Sequence, residues 1–481
     1  MYDVEQFIDG VWGRFGDGDA ELVVDDPSEG VPVSRSPVAT AADVATAVKS
    51  AGEAAPRWAA VPAAERAAAL RRMADALAGA TDRIAELQSA EMGKPLAGAR
   101  AGIAAGVATL RQYAELGPVH RGRTLAGDPA AFDLMAYVPR GVVAALTPWN
   151  DPVAVACGLL GAALVTGNTV VHKPSERCPA TGALLGRIVA DEVPDGVFSL
   201  LTGDGPVGAA IAGASGVDLV AHVGSTAAGT AIARACARTG TKALRENGGN
   251  DALIVDERVD PQWAAEQAAL GALANSGQLC VSVERIYVHT AVADAFVDAL
   301  TRHCHRLRLG PARDPYTELG PLVDRRHRDQ VHAQVTAAIA DGATARCGGE
   351  IPQGPGAYYP PTVLSECTDS MTVLREETFG PVAPVMVVGS FDEALSRASC
   401  SPYGLSATVL TRSMTHAHRA WRELPVGTVR INAVFGGAPG GAAHPRRGSG
   451  DGYGYGPELL DEMTVSKVLH LQPPGGPDGR W

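Results

Sequence analysis

The sequence lacks several features that mark particular functional classes. Its eight cysteines form no CxxC pair, so neither a zinc site nor a disulfide framework is indicated. The longest apolar stretch, Val153 to Gly167, contains glycine and is shorter than the ~20 residues that a membrane-spanning helix needs. An excess of basic residues is also missing, because the formal net charge is −12. Nucleic acid and an anionic membrane are therefore not expected as partners, and a small molecule remains.

Signals for secretion or for a metal are not indicated either. The start of the chain, Met1 to Glu5, is acidic and lacks the basic and then apolar pattern of a signal peptide. Scattered cysteines fit a reducing compartment, so we expect a cytoplasmic protein. His303, Cys304 and His305 are adjacent, and neighbouring residues on a helix point in different directions. We therefore assign no metal.

Hydrophobic patterning indicates an α/β fold with more than one domain. The chain has 481 residues, whereas single cores stop growing near ~250–300 residues. Strand-like runs at Val142–Leu146 and Thr169–His172 alternate with helical segments, which is typical of βαβ units and a parallel sheet. A second alternating block runs from Ala252–Val255 through Arg285–His289. We expect the boundary between the two blocks near residues 248–249.

Cys280 is the most informative single residue. It ends the run Asn275 to Cys280, and Glu246 precedes it beside the glycine pair at 248 and 249. A lone buried cysteine is usually only a small hydrophobe. A thiolate attacks a carbonyl well, however, and a nearby glutamate can activate the water that later releases an acyl group. The pair predicts a nucleophile and a base.

Two glycine-rich turns precede predicted helices. Residues 202–208 form the first turn, which is not the usual dinucleotide GxGxxG and is a weak signal alone. The second, Gly224-Ser225-Thr226, follows the strand-like run Leu219–Val223. Its helix amides and dipole suit a pyrophosphate, whereas Ser225 could equally be only an N-cap.

Further motifs occur in a fixed order around Cys280. They are Pro148-Trp149-Asn150, Lys173-Pro174-Ser175-Glu176, Gly224-Ser225-Thr226 and Glu376-Glu377-Thr378-Phe379-Gly380-Pro381-Val382. With these motifs the chain resembles the aldehyde dehydrogenase superfamily over nearly its whole length. The resemblance implies a variant Rossmann cofactor domain, an α/β catalytic domain and a β oligomerisation arm.

The resemblance also implies a division of the chain. Residues 1–118 and 141–248 would form the NAD-binding domain and residues 249–450 the catalytic domain. Residues 119–140 and 457–481 would form the oligomerisation arm with the C-terminal strand and tail, in a homodimer or homotetramer. Residues 473–479 are rich in Pro and Gly and are expected to be mobile.

Roles for individual residues follow from the resemblance. Cys280 would attack an aldehyde, Asn150 and the Cys280 amide would hold the oxyanion, and Glu246 would activate water against the thioester. This describes NAD-dependent oxidation of an aldehyde to a carboxylic acid. The residues that the resemblance places at the cofactor are Trp149, Lys173, Glu176, Gly205, Gly208, Gly224, Ser225, Glu377 and Phe379.

The cofactor residues have distinct expected tasks. Lys173 would contact the adenosine ribose. A carboxylate at Glu176 accepts hydrogen bonds from the ribose 2′-OH and repels a 2′-phosphate, which favours NAD over NADP. Glu377 and Phe379 would hold the nicotinamide ribose and ring.

The sequence departs from the family pattern at several positions. The motif E-L-G-G-K around the base is here Glu246-Asn247-Gly248-Gly249-Asn250. A glutamate that many members use to relay protons is replaced by Gly454, and a lysine nine residues after Asn150 is replaced by Leu159. We expect proton exchange with solvent to be slower or to take another route.

Asp151 stands where aromatic residues commonly follow the catalytic asparagine. In the resembled family this position faces the substrate tunnel, so a carboxylate would favour amino or hydroxy aldehydes over greasy or anionic ones. The alternative is that Asp151 caps the helix that follows.

Two other functions remain open at this stage. A CoA-acylating semialdehyde dehydrogenase would keep the fold, but such enzymes generally lack the base, so Glu246 argues against it. A non-catalytic dinucleotide-binding or structural relative is suggested by Asn247 and Gly454. Retention of Cys280, Glu246 and Asn150 together argues against that alternative.

Overall fold

A computed structural model describes residues 1–16, 20–129, 131–437 and 441–472. The tail that the sequence predicts to be mobile, residues 473–479, lies outside the described residues.

Strands occur throughout the described chain. In chain order they are β1 (Tyr2–Asp3), β2 (Gln6–Ile8), β3 (Val11–Gly13), β4 (Glu21–Asp25), β5 (Pro32–Pro37), β6 (Arg123–Leu125), β7 (Phe132–Pro139), β8 (Val142–Leu146), β9 (Thr169–Lys173), β10 (Phe198–Leu200), β11 (Leu219–Val223), β12 (Lys242–Glu246), β13 (Asp251–Val255), β14 (Val283–His289), β15 (Thr344–Cys347), β16 (Thr362–Ser365), β17 (Val382–Val388), β18 (Ser406–Leu410), β19 (Thr428–Ile431), β20 (Gly450–Asp451) and β21 (Thr464–Leu471).

Helices separate most of these strands. In chain order they are α1 (Ala41–Ala59), α2 (Ala63–Gly79), α3 (Thr81–Met92), α4 (Leu96–Leu116), α5 (Pro152–Val165), α6 (Pro179–Ala190), α7 (Gly205–Ala212), α8 (Thr226–Thr239), α9 (Pro261–Leu273), α10 (Ala293–Cys304), α11 (Arg325–Ala340), α12 (Phe391–Ser399), α13 (Met414–Glu423) and α14 (Glu458–Glu462).

The first large sheet is built around parallel strands. Its order in the described chain is β20-β12-β11-β8-β9-β10-β2-β3, and the strands from β12 to β10 run parallel. Alternate residues of β8 enter different cores: Val143 and Ala145 pack with α2 to α6, whereas Val142 and Ala144 pack with α1, α7 and α8. Both faces of the sheet are therefore covered, which explains why its strands read as continuous apolar runs.

A second large sheet follows the glycine pair at 248 and 249. Its order in the described chain is β15-β16-β17-β14-β13-β18-β19, again parallel except for β15. Leu253 and Ile286 face one core, and Ile254 and Tyr287 face the other. The α/β expectation from the sequence is confirmed for both blocks.

A smaller sheet stands apart from the two large ones. β21 pairs antiparallel with β7 over its whole length, and β6 pairs with the other side of β7. The sheet therefore joins the segment before β8 to the end of the described chain. β21 is an edge strand among the described residues.

The apolar run at 153–167 forms the buried helix α5. Within the described ranges, no helix is both long and apolar enough to cross a membrane. Close approach of α4 to α5 depends on small residues, because a Cβ at Gly106 would lie 3.1 Å from Sγ of Cys157.

The strand order collects polar residues at one edge of the first sheet. The loops that follow β8, β9 and β11 carry Asn150, Glu176 and Ser225, and β12 itself ends at Glu246. In open parallel sheets, ligands bind outside the carboxyl ends of the strands. This edge faces β13 and the segment that carries Cys280, which is where the site is built.

Candidate active site

Cys280 follows a strained turn. Asn275 and Ser276 have φ of 51° and 57°, in the left-handed region that non-glycine residues seldom adopt. Gly277 is also left-handed, and a Cβ there would overlap the carbonyl of Gly380. The cysteine loop is thus pressed against the loop that carries Glu377 and Phe379.

The Cys280 thiol lies half-buried among acidic groups. Burial is the main reason that its pKa rises to about 12, and the carboxyl groups of Glu246, Asp251 and Glu377 raise it further. Cys280 is therefore a neutral thiol at neutral pH in the ligand-free protein. Its activation requires a group that removes the proton or brings positive charge.

Asn150 is fixed to the cysteine loop by hydrogen bonds in both directions. Its Nδ2 donates to the Gln278 carbonyl at 3.1 Å, and Nδ2 of Asn275 donates to the Asn150 carbonyl at 3.2 Å. Gln278 is only two residues before Cys280. Because an amide nitrogen carries two protons, Asn150 has a second donor for an oxyanion formed on a Cys280 adduct.

Glu246 bonds to the backbone of Gly454. Its Oε1 accepts from the Gly454 N–H at 3.0 Å. Burial nevertheless raises the pKa of Glu246 to about 8, and this hydrogen bond lowers it only in part. A Cβ at position 454 would overlap Cγ of Glu246. The Glu246 side chain can therefore adopt this conformation only because residue 454 is a glycine.

The other departures from the family pattern are structural in this protein. Nδ2 of Asn247 donates to the Gly448 carbonyl at 3.0 Å, which ties the base to the loop before β20. Leu159 is buried in the core around α5. The described contacts of these residues give no proton route, and the route stays an open prediction.

Lys173 and Glu176 lie together after β9. The Lys173 ammonium donates to the Pro174 carbonyl at 3.0 Å and lies 3.9 Å from Oε2 of Glu176. Burial lowers the pKa of Lys173. The Glu176 side chain is 44% exposed, so its carboxylate can meet a ligand.

The glycine-rich turns leave a cleft beside Lys173. A Cβ at Gly205 would meet no atom within 4 Å, and one at Gly208 would lie 3.8 Å from Cδ of Lys173. Ser225 has the N-cap role that the sequence left open, because its Oγ accepts from the Ala228 N–H at 3.2 Å. Gly224 precedes it, after β11.

A dinucleotide fits this cleft by its donor chemistry. The first backbone amides of α8 have no intrahelical partner and suit a phosphate. Oγ1 of Thr226, at the start of the same helix, is buried with no hydrogen-bond partner among the described residues. Lys173 and Glu176 supply a cation and an acceptor at the end of β9, in the same sheet. The residues present therefore suit an anionic nucleotide with a free ribose hydroxyl.

An aromatic cluster connects the Asn150 loop to the cofactor loop. The rings of Trp149 and Phe379 meet edge to face at 5.4 Å, and His327 packs edge-on against both. Arg177 lies 5.2 Å from the Trp149 ring centroid. His327 donates from Nε2 to the Phe379 carbonyl at 2.7 Å, and burial lowers the pKa of this histidine. Trp149 therefore packs against the cofactor loop.

Glu377 turns towards the glycine pair after the base. Its Oε1 accepts from the Gly249 N–H at 2.9 Å, and a Cβ at Gly248 would overlap its carboxylate. Burial raises the pKa of Glu377 to about 7. The side chain thus bridges the start of β13 and the loop before β17.

Asp151 pairs with a lysine that the sequence did not single out. Its Oδ1 lies 2.9 Å from Nζ of Lys94, whose side chain is 5% exposed, whereas that of Asp151 is 28% exposed. The capping alternative is wrong, because in the described structure no hydrogen bond runs from α5 to this carboxylate. A Cβ at Gly102 of α4 would overlap Oδ1, so glycine leaves room for the pair.

Sequence reasoning also missed Glu284 and His327. Both contact the loop of Glu377 and Phe379, but they lie on β14 and α11, far from it along the chain. No local pattern signals such a contact. Across the described residues, no group of His, Cys, Asp or Glu is arranged to hold a metal ion.

The chain was compared with known proteins. Residues 15–469 match a family model described as the aldehyde dehydrogenase family. Lactaldehyde dehydrogenase from Escherichia coli is 33% identical, with 98% of this chain and 99% of that chain covered and a TM-score of 0.95. An NAD-dependent aldehyde dehydrogenase from Sinorhizobium meliloti is 32% identical, with 99% and 96% covered and a TM-score of 0.95.

A third similar structure carries the cofactor. Betaine aldehyde dehydrogenase from Staphylococcus aureus, in complex with NAD+, is 29% identical, with 98% of this chain and 95% of that chain covered and a TM-score of 0.94.

Proposed function

The chain belongs to the aldehyde dehydrogenase family, and on this premise we propose that it oxidises a small polar aldehyde to the carboxylic acid with Cys280 as nucleophile. It is an NAD-dependent oxidoreductase. The observation that carries the proposal is the convergence of Asn150 and Glu246, from two strand ends of one sheet, on the loop of Cys280.

The residues divide the reaction between them. Sγ of Cys280 forms a bond to the aldehyde carbon while its thiol proton passes to a water molecule in the site, and Nδ2 of Asn150 with the Cys280 N–H holds the resulting oxyanion. NAD, when bound, supplies the hydride acceptor. Glu246 in its ionised form then takes a proton from water, which attacks the thioester carbon and releases the Cys280 sulfur. Because Oε1 of Glu246 accepts from Gly454, Oε2 is the oxygen we assign to the water.

We propose that the cofactor is held at the cleft beside Lys173, with Trp149, Gly205, Gly208, Gly224 and Ser225 forming its walls. The support is the open space over Gly205 and the first two amides of α8, those of Thr226 and Ala227, since the Ala228 amide is already capped by Ser225. Glu377 and Phe379 would hold the nicotinamide end, and Glu176 the adenosine ribose.

Glu176 is expected to set the preference for NAD over NADP. Replacing Glu176 with Gln removes the charge that repels a 2′-phosphate and weakens the acceptor for the 2′-OH. The ratio of kcat/KM for NAD to that for NADP is expected to fall by about tenfold or more. Steady-state kinetics with both cofactors measure it.

Glu115 on the exposed face of α4 provides a matched control. Glu115→Gln removes the same charge from the protein surface and is expected to leave the ratio unchanged. An unchanged ratio in Glu176→Gln as well would contradict the assignment.

We propose that the substrate carries a hydroxyl group. Asp151 directly follows Asn150, and its charge is balanced by the buried Lys94 ammonium. A neutral pair offers both an acceptor and a donor, which suits a hydroxyl better than a second cation. The similarity to a lactaldehyde dehydrogenase supports this class, since lactaldehyde is a hydroxy aldehyde.

Asp151→Asn is expected to lower kcat/KM for glycolaldehyde or lactaldehyde by about ten- to hundredfold, the effect of losing a hydrogen bond to a charged group. Propanal has no hydroxyl, and its kcat/KM is expected to change much less. The substrate panel is measured alongside thermal unfolding, because the variant also leaves the buried Lys94 without its partner.

Two further measurements settle the role of the pair. Lys94→Met with Asp151→Leu removes both charges and avoids an unpaired buried ion. This double variant is expected to fold and to prefer propanal. Equal losses for hydroxylated and plain aldehydes in Asp151→Asn would instead mean that the pair only stabilises the packing of α4 on α5.

We propose that the small sheet is an arm that joins copies of this chain into a homodimer or homotetramer. β21 is an edge strand in the described chain and exposes apolar residues. Such an edge is a template for pairing with another strand. The exposed apolar residues of the arm are Leu125, Phe132, Val465, Val468, Leu469 and Leu471.

We also propose that the two large sheets and the arm mark the division of labour along the chain. The first large sheet would belong to an NAD-binding domain of residues 1–118 and 141–248. The second would belong to a catalytic domain of residues 249–450, and the arm to residues 119–140 and 457–481. The support is that each large sheet packs against hydrophobic cores of its own.

A further inference from the structure

A buried carboxyl group, Glu284, lies behind the loop that carries Glu377 and Phe379. Glu284 is the second residue of β14 and is only 4% exposed. β14 lies between β13 and β17 in the second large sheet. The side chain therefore reaches the loop before β17 from the interior of the protein.

Both oxygens of Glu284 accept backbone hydrogen bonds from consecutive residues of this loop. Oε1 accepts from the Phe379 N–H at 2.7 Å, and Oε2 accepts from the Thr378 N–H at 2.9 Å. A carboxylate that binds two successive amides fixes the direction of the backbone between them. Oε2 also accepts from Nδ2 of Asn250 at 3.3 Å.

The loop needs such a clamp because its backbone is strained. Phe379 has φ of 53°, a left-handed conformation that costs a bulky residue free energy and persists only where the surroundings hold it. With the backbone in this conformation, the Glu377 carboxylate contacts Gly249 and the Phe379 ring contacts Trp149. The hydrogen bonds of Glu284 fix the backbone from which both of these side chains project.

The partners of Glu284 suit a carboxyl group with two acceptor oxygens. Burial and the neighbouring Glu377 carboxyl raise the pKa of Glu284 well above its usual range, and its hydrogen bonds oppose that rise. In the described chain these bonds come from neutral N–H donors, two in the loop and one on Asn250. Asn250 stands where the family motif has a lysine. A glutamine at 284 would present an NH2 group to one of these N–H donors and would leave that donor without an acceptor.

We propose that Glu284 is a positioning residue for the cofactor loop, holding Glu377 and Phe379 in the orientation that receives the nicotinamide end of NAD. The inference rests on the proposed function in one respect, the assignment of these two residues to the cofactor. The clamp itself can be measured in the protein without any ligand.

The test compares Glu284→Gln with Glu376→Gln, which makes the same substitution at an exposed neighbour in the same loop. Hydrogen exchange of the ligand-free protein is expected to rise over residues 376–381 in Glu284→Gln and to stay unchanged over β8. NAD affinity, measured by titration calorimetry, is expected to fall by about tenfold because one of the N–H donors loses its acceptor. Glu376→Gln is expected to match the unmodified protein in both measurements.

Glu284→Asp is the second variant and is measured alongside Glu284→Gln. If Glu284→Gln does not fold, Glu284→Asp replaces it. Aspartate keeps the carboxyl group but is shorter, and the variant is expected to protect the loop only in part and to bind NAD with intermediate affinity. Unchanged exchange over residues 376–381, or loosened exchange with unchanged NAD affinity, would overturn the positioning role. Failure of the unmodified protein to bind NAD would refute the proposed function, and the exchange data would still decide whether the clamp exists.

Discussion

Replacing Cys280 with Ser is expected to lower kcat for aldehyde oxidation by at least about a thousandfold, the scale on which loss of a catalytic nucleophile acts. Serine keeps the volume of the side chain, but its hydroxyl is a far weaker nucleophile than a thiol. No other described cysteine can take over, because the remaining cysteines lie on other elements. NADH formation under saturating NAD measures the loss.

The control for this prediction is Cys400→Ser. Cys400 is exposed and follows α12, outside the segments that carry Cys280, Asn150 and Glu246, so the variant is expected to keep full activity. NAD affinity is expected to stay the same in both variants. Residual oxidation in Cys280→Ser above a few per cent of the unmodified rate would show that another group is the nucleophile.

Glu246→Gln is expected to separate the two halves of the reaction. Glutamine retains the shape and can still accept from the Gly454 N–H, but it cannot take a proton from water. Oxidation is therefore expected to proceed once, with a burst of about one NADH per active site, and the steady-state rate to fall by about a hundredfold or more. Rapid-mixing absorbance measurements detect the burst, and mass spectrometry detects the acylated Cys280.

The role of Glu246 as the base also predicts how the rate of thioester hydrolysis changes with pH. Burial raises the pKa of Glu246 to about 8, so at pH 7 most of the carboxyl group is protonated and cannot act as a base. Thioester hydrolysis is expected to rise with pH through about 8 and then level off. The glutamine variant is expected to show no such rise. A wild-type profile that is flat across this range would refute Glu246 as the base.

The unmodified protein tests the CoA-acylating alternative. Added CoA is expected to have no effect on the unmodified protein, where water activated by Glu246 releases the acyl group. Release from the unmodified protein that depends on CoA would favour the acylating function instead.

Much of the fold was predictable because it depends on local patterns. Continuous apolar runs such as Val142–Leu146 predict strands that are covered on both faces, and the run at 153–167 predicts the buried helix α5. The N-cap at Ser225 is likewise encoded within a few residues, since the hydroxyl bonds to Ala228. Order of motifs along the chain was enough to indicate the family.

The partners and pKa values of the site residues could not be predicted, because they depend on contacts between segments that are distant in the sequence. Asp151 was considered as a single charge, but its partner Lys94 lies on the segment between α3 and α4. Glu284 acts on a loop 94 residues further on. The raised pKa of Glu246 comes from burial against the late segment at Gly454, and no pattern near the base reveals it.

The contact between Glu246 and Gly454 couples two positions that lie 208 residues apart in the chain. A glutamate placed at 454 would need the volume that the side chain of Glu246 now fills, so its first methylene could enter only after the base had moved. The effects of changes at 246 and 454 should therefore be strongly epistatic and should not add. A glutamate introduced at 454 is therefore expected to require a new conformation of Glu246 before the second carboxyl group can be accommodated.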